Sequence, residues 1–145
     1  MRRKYSAEEL TGQAYLLDKI NGESFETANR ELIEKILIQN KNEIVGYIRT
    51  ASREQGTISI NHQKDAILNF CKKFNVTCKN IFIDDGFSGL NFNRPGIKKI
   101  TEHEEYKVIL VKDFSRFSRD YIDTKKYIDN KKKILLSVTD FNIWR

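Results

Sequence analysis

Three short segments hold most of the residues able to work on a phosphate. They are Arg49-Thr50-Ala51-Ser52-Arg53-Glu54-Gln55, then Asp84-Asp85-Gly86-Phe87-Ser88-Gly89 with Asn93-Arg94-Pro95-Gly96, and finally Asp113-Phe114-Ser115-Arg116-Phe117-Ser118-Arg119-Asp120. Arginine presents a planar fork of donors that matches phosphate oxygens. Arg49, Arg94, Arg116 and Arg119, set beside hydroxyls such as Ser52, Ser88 and Ser115, are what phosphoryl transfer without a metal would require. Taken singly, each arginine is more simply read as half of a surface ion pair. Convergence on one site is what would make them a phosphate shell.

The elements that must position these segments can be read from hydrophobic spacing. Residues 44–48, 80–83, 107–111 and 133–138 read as strands, the third continuously apolar and so buried on both faces. Residues 59–74 predict a helix with Ile60, Ile67, Phe70, Cys71 and Phe74 on one face. Pro95 suits the first turn of a short helix containing Ile97 and Ile100, and another helix is expected at about 120–130. Strands joined by helices imply an α/β fold: a mostly parallel sheet of four to five strands with helices on both faces. Such sheets carry their functional loops at the strand carboxyl ends, where all three segments fall.

Residues 1–42 read as a helical extension ahead of the α/β domain at 43–145. Ser6 and Glu9 form a capping-box pattern opening a helix over 6–20, and Asn21-Gly22 breaks it. Ser24 can cap a second helix whose stripe is Phe25, Ala28, Leu32, Ile33, Ile36 and Leu37. That stripe must pack on the main domain or on another copy of the chain. A helix-turn-helix DNA reader is disfavoured by the acidic residues of the second helix.

The 145 residues suit a modest core, and 39% hydrophobic with 32% charged residues describes a globular chain with no apolar run long enough to span a membrane. A cytoplasmic location is expected. Residues 1–43 carry seven Lys/Arg and eight Asp/Glu, leaving nineteen and twelve for 44–145, so the α/β part carries +7 against −1 for the segment before it. A basic domain favours a polyanionic partner such as DNA, although a solvated lysine face explains the same numbers. Cys71 and Cys78 lack neighbours at zinc-ligand spacing, and Cys71 reads as a buried free thiol.

In order and spacing the three segments resemble the motifs of the serine recombinases, the resolvase/invertase family, and their style is nearest to the large members. Gly46-Tyr47-Ile48-Arg49-Thr50-Ala51-Ser52-Arg53-Glu54-Gln55 resembles the opening motif, and the other two segments resemble the second and third, so the likeness covers about residues 43–140. It implies the N-terminal catalytic domain of an enzyme of DNA recombination or integration, of the kind mobile genetic elements carry. In that family a serine attacks a DNA phosphodiester, forms a 5′-phosphoserine link and frees a 3′-hydroxyl; no metal or other cofactor takes part. The resemblance implies that Arg49 contacts the scissile phosphate and that Arg116 and Arg119 stabilise charge on the pentacoordinate phosphorus and the leaving oxygen. It assigns Arg94 to phosphate binding, with Gln55, Ser88, Asp85 and Ser115 supporting. The partner is DNA, bound by a homodimer or tetramer in the full-length context.

The nucleophile position departs from the family, because Ala51 stands there. Ser52 is adjacent, but in an extended chain it points away from Arg49. Ser115 replaces an aspartate of the small resolvases, as it does in many large members. Family members continue into a dimerisation helix and a DNA-binding domain, whereas this sequence stops at Arg145; an excised fragment and a natural short protein both fit. Two other classes stay open: an inactive relative that binds DNA or protein, and a receiver-like or nucleotide-binding domain using Asp84-Asp85 for Mg²⁺. The last lacks a glycine-rich loop after the first strand.

Overall fold

The computed structural model describes residues 25–51 and 56–144. In chain order the elements are α1 (Phe25–Gln39), β1 (Ile44–Thr50), α2 (Gly56–Lys73), β2 (Ile81–Asp85) and α3 (Pro95–Thr101). There follow β3 (Val108–Val111), the single turn α4 (Phe114–Phe117), α5 (Tyr121–Lys131), β4 (Ile134–Ser137) and β5 (Asn142–Trp144). The expected helix over 6–20 lies outside the described residues.

The strands form one five-stranded sheet in the order β2-β1-β3-β4-β5. The first four are mutually parallel, and β5 returns antiparallel to β4, with Leu136 opposite Ile143. The expected mostly parallel α/β sheet is therefore what the chain forms. β5 is the strand that hydrophobic spacing does not reveal. It has only three residues and depends on a turn in which Phe141 takes φ 52°, a conformation rare outside glycine and asparagine.

Side-chain alternation along the strands sorts the core into two layers. Ile44 and Ile48 of β1, Val108 and Leu110 of β3 and Leu136 of β4 face α1 and α2, where Ile33, Ile36, Leu37, Ile67, Phe70 and Cys71 meet them. Val45, Tyr47, Ile109, Val111 and Leu135 face the other way, onto Ile97, Ile100, Phe114, Phe117, Ile128 and Trp144. Leu32, Ile33, Ile36 and Leu37 of the α1 stripe thus pack on the sheet of their own chain.

β1 and β2 run further than the apolar spacing suggests. Arg49 pairs with Asp84 and Thr50 with Asp85, so these polar residues are on strands rather than in the loops that follow. The Thr50 hydroxyl donates to Asp85 Oδ1 at 2.5 Å, and the Thr50 carbonyl accepts from Gly86 and Phe87 N–H. After β1 the chain steps to β2 on one side and then to β3 on the other. The crevice between the carboxyl ends of β1 and β3 is where open α/β sheets bind ligands.

Candidate active site

Arg49 sits at that crevice with its side chain on the α3–α5 face, because it shares the parity of Val45 and Tyr47. It is 1% exposed. Its guanidinium donates from Nε to the Arg116 carbonyl (3.0 Å), from Nη1 to that of Phe87 (3.0 Å) and from Nη2 to that of Ser115 (2.9 Å). One side chain therefore ties the β2–α3 loop to α4. Its backbone is held as firmly: Gln63 Nε2 donates to the Arg49 carbonyl at 3.0 Å, while Arg49 N–H donates to Gln63 Oε1 at 3.3 Å.

The other three arginines surround the same turn. Arg94 is 1% exposed, and it donates from Nε to the Asn91 carbonyl (2.9 Å), from Nη1 to the Tyr47 hydroxyl (2.9 Å) and from Nη2 to the Phe117 carbonyl. Arg116 is partly exposed, lies 3.9 Å from Asp113 Oδ2, and has a buried Nε with no hydrogen-bond partner. A buried donor without a partner costs about 1–3 kcal/mol in a folded protein. Arg119 is exposed, and its N–H donates to the Gly89 carbonyl at 3.0 Å. Burial, then the charges of Arg94, Arg119 and Arg116, push the Arg49 guanidinium below its usual pKa, opposed only by Tyr47. Among the described residues, Arg116 is the one member of the cluster with a carboxylate within 4 Å. An anion entering such a cluster relieves repulsion rather than competing with a counterion.

Gly89 is what allows Arg49 and Arg119 to approach each other. A Cβ there would fall 2.9 Å from Arg49 Cζ and Nη2 and 3.1 Å from Arg119 Cγ. Gly89→Ala should therefore push Arg49 off its carbonyls and destabilise the domain by about 1–3 kcal/mol, the usual cost of overpacking. Urea titration checks this; an unchanged midpoint would mean that the cluster relaxes freely.

The remaining expected site residues are less tightly gathered. Ala51 is exposed at the end of β1. Ser52 and Gln55 lie outside the described residues. The exposed Ser88 follows Phe87, the Arg49 acceptor, and its Oγ accepts from Leu90 N–H at 3.1 Å. Ser115 Oγ donates to Asp113, while its carbonyl holds Arg49. Asp85 bonds Thr50 and packs against Gly56 at the start of α2, which is the opposite face of the sheet from Arg49. Asp84, weighed as a Mg²⁺ ligand, is 1% exposed and fully engaged. It accepts from the Tyr47 hydroxyl (2.7 Å), Gly96 N–H (2.8 Å) and Ile97 N–H (3.2 Å). Burial foremost raises the Tyr47 phenol pKa well above its usual value.

Gln63, Tyr47 and Asp84 are structural partners that motif reading passes over. For Gln63 a signal existed: it falls between Ile60 and Ile67 on the apolar stripe of α2, a place where a polar side chain needs a buried partner.

The family model for the resolvase N-terminal domain matches residues 44–143. No curated protein matches the chain in sequence. Among solved structures, the N-terminal catalytic domain of TP901-1 integrase superposes with a TM-score of 0.61 at 22% identity, covering 69% of this chain and 80% of that one. A resolvase family site-specific recombinase from Streptococcus pneumoniae gives 0.57 at 22% identity, covering 69% and 74%. The C-terminal catalytic domain of ISC1926 TnpA, an IS607-like serine recombinase, gives 0.56 at 21% identity, covering 66% of each chain. At such identities the structural likeness is one of fold.

Proposed function

The chain belongs to the resolvase N-terminal domain family, and on that premise we propose that its arginine cluster engages a DNA phosphodiester in site-specific recombination, with Ala51 at the expected nucleophile position. The chemistry served is serine-type cleavage and rejoining through a 5′-phosphoserine link. The observation that carries this reading is the convergence of Arg49, Arg116 and Arg119 on one crevice, crowded enough to depress the Arg49 pKa. Arg119 and Arg116, the two not fully buried, are the phosphate-contacting members. Arg49, buried beneath them, fixes the loops and adds its positive charge to the site. Arg94 acts from behind, through its bond to the Phe117 carbonyl between them. Ser88, Ser115, Gln55 and Asp85 support the loops. The full protein works in the cytoplasm as a dimer or tetramer on DNA.

Ala51 favours a second reading, that of a relative that binds DNA or protein and does not cut. Both readings predict DNA binding, and that is the first test. The chain should bind duplex DNA weakly and without sequence preference, at about 10⁻⁴–10⁻⁶ M, with log K falling linearly in log[salt]. Arg119→Gln should weaken binding to all sequences alike. No binding at 50 mM salt would sink the proposal, and tight sequence-specific binding at physiological salt would mean that residues 1–42 read DNA.

A further inference from the structure

A second basic cleft lies between α2 and the segment after β3. It has a cavity of about 200 Å³ lined by Ile58, Ser59, His62, Lys112 and Arg116. One water needs only ~15 Å³ of such space, so a hydrated tetrahedral anion fits. Its polar groups nearly all donate. Among the described residues Lys112 has no ion-pair partner, His62 is exposed at the rim, and Arg116 is partly exposed to the cleft. Ser59 Oγ accepts from Gln63 Nε2 at 3.0 Å. Asp113 is the neighbouring negative charge, 3.9 Å from Arg116 Nε and already bonded by Ser115. Lys112 and Arg116 against Asp113 leave one positive charge, the complement of one phosphodiester.

We propose that Ser59, His62, Lys112 and Arg116 form a phosphate-binding site beside the Arg49–Arg119 cluster. It takes either a second backbone phosphate of the bound DNA strand, which rests on the DNA reading above, or free phosphate. Arg116 is common to both sites and couples them. Its partly exposed guanidinium lines this cleft, while its carbonyl fixes Arg49. A strand laid along the β1–β3 crevice would then be gripped at two successive points, fixing its direction across the sheet edge. Phosphate contacts position a nucleic acid in this way without reading sequence.

Two measurements on the full chain test the proposal. In the first, inorganic phosphate is titrated against ¹⁵N-labelled protein at constant ionic strength, with chloride as the reference anion. Shifts should concentrate at residues 58–62 and 112–116 and should be lost in Lys112→Gln and His62→Gln. In the second, the salt dependence of DNA binding is compared for wild type, Lys112→Gln and the exposed Lys99→Gln as a charge control. Lys112→Gln should reduce the slope of log K against log[salt] by about 0.9, the value for one lost phosphate contact, and by more than the control does. A changed slope assigns the site to DNA; phosphate shifts with an unchanged slope assign it to free phosphate. No localised shift together with a slope equal to that of Lys99→Gln would overturn the proposal. A wild type that does not bind DNA would sink the functional reading, while the phosphate titration would still decide this one.

Discussion

Ala51→Ser is expected to convert a chain that forms no covalent bond to DNA into one that does, an all-or-none change. β1 remains extended through Thr50, and Arg49 projects to the α3–α5 face where Arg116 and Arg119 gather. Residue 51, a bend just past the strand, is exposed, and if the extended alternation carries on to it, a hydroxyl there opens onto the cluster. Cleavage requires the introduced hydroxyl to lose its proton and its oxygen to bond to phosphorus, as the 3′-oxygen departs and takes a proton. The arginines lower the cost of the charge on phosphorus, but electrostatic stabilisation alone cannot make the covalent intermediate. The experiment presents a nicked or bridging-thio suicide substrate to the chain fused to a DNA-binding module and scores protein–DNA adduct. Adduct from the Ala51→Ser chain alone is the expected result. Adduct from the unchanged chain that vanishes in Ser52→Ala would place the chemistry on Ser52 and refute this account. No adduct from any version of a folded, DNA-bound fusion would favour the binding-module reading.

What could be read from sequence divides along physical lines. Strands β1, β3 and β4 announce themselves because a central parallel strand is apolar on both faces, and Val108–Val111 is buried at every position. The long amphipathic α2 is legible by period. β5 is not, because three residues held by one turn carry no period, and neither is the single turn α4. Motif order identified Arg49, Arg116 and Arg119 as neighbours, since sheet topology forces the ends of β1 and β3 together. It could not say how each arginine is used. Arg49 and Arg94 have the same residue type and the same 1% exposure, yet Arg49 bonds three carbonyls at the crevice while Arg94 adds a tyrosine hydroxyl behind it to its two carbonyls. Such partners are set by rotamer and packing. Asp84 and Asp85 show the limit plainly: adjacent carboxylates on a strand project to opposite faces, so one caps α3 and the other meets α2.

The second large effect is expected at Asp84. In the Asp84–Tyr47–Arg94 chain a buried carboxylate and a buried guanidinium are joined through a phenol, and α3, whose own N-cap residue makes no side-chain cap, takes its cap from Asp84 on β2. Removing one partner of a buried charge pair costs about 3–5 kcal/mol because the other charge stays buried without compensation. Asp84→Ala also leaves the Tyr47 hydroxyl and the Gly96 and Ile97 N–H groups without an acceptor. Domains of this kind are stable by roughly 5–15 kcal/mol, so about a fifth or more of the folding free energy should vanish, with a fall of roughly 10–20 °C in Tm. Gly96→Ala should act in the same direction, because its Cβ would fall 2.9 Å from Asp84 Oδ2. A double-mutant cycle with Arg94→Met separates this from simple loss of packing. If the two charges compensate each other, the double variant should lose clearly less than the sum of the singles. Strict additivity, or a loss below about 1 kcal/mol for Asp84→Ala, would show that the relay does not hold the fold. The same relay reaches the crevice through the Phe117 carbonyl, placed between Arg116 and Arg119. Asp84→Asn, which keeps the shape and one acceptor, should therefore weaken DNA binding while the protein remains folded. That result would tie the buried network to the phosphate shell rather than to stability alone.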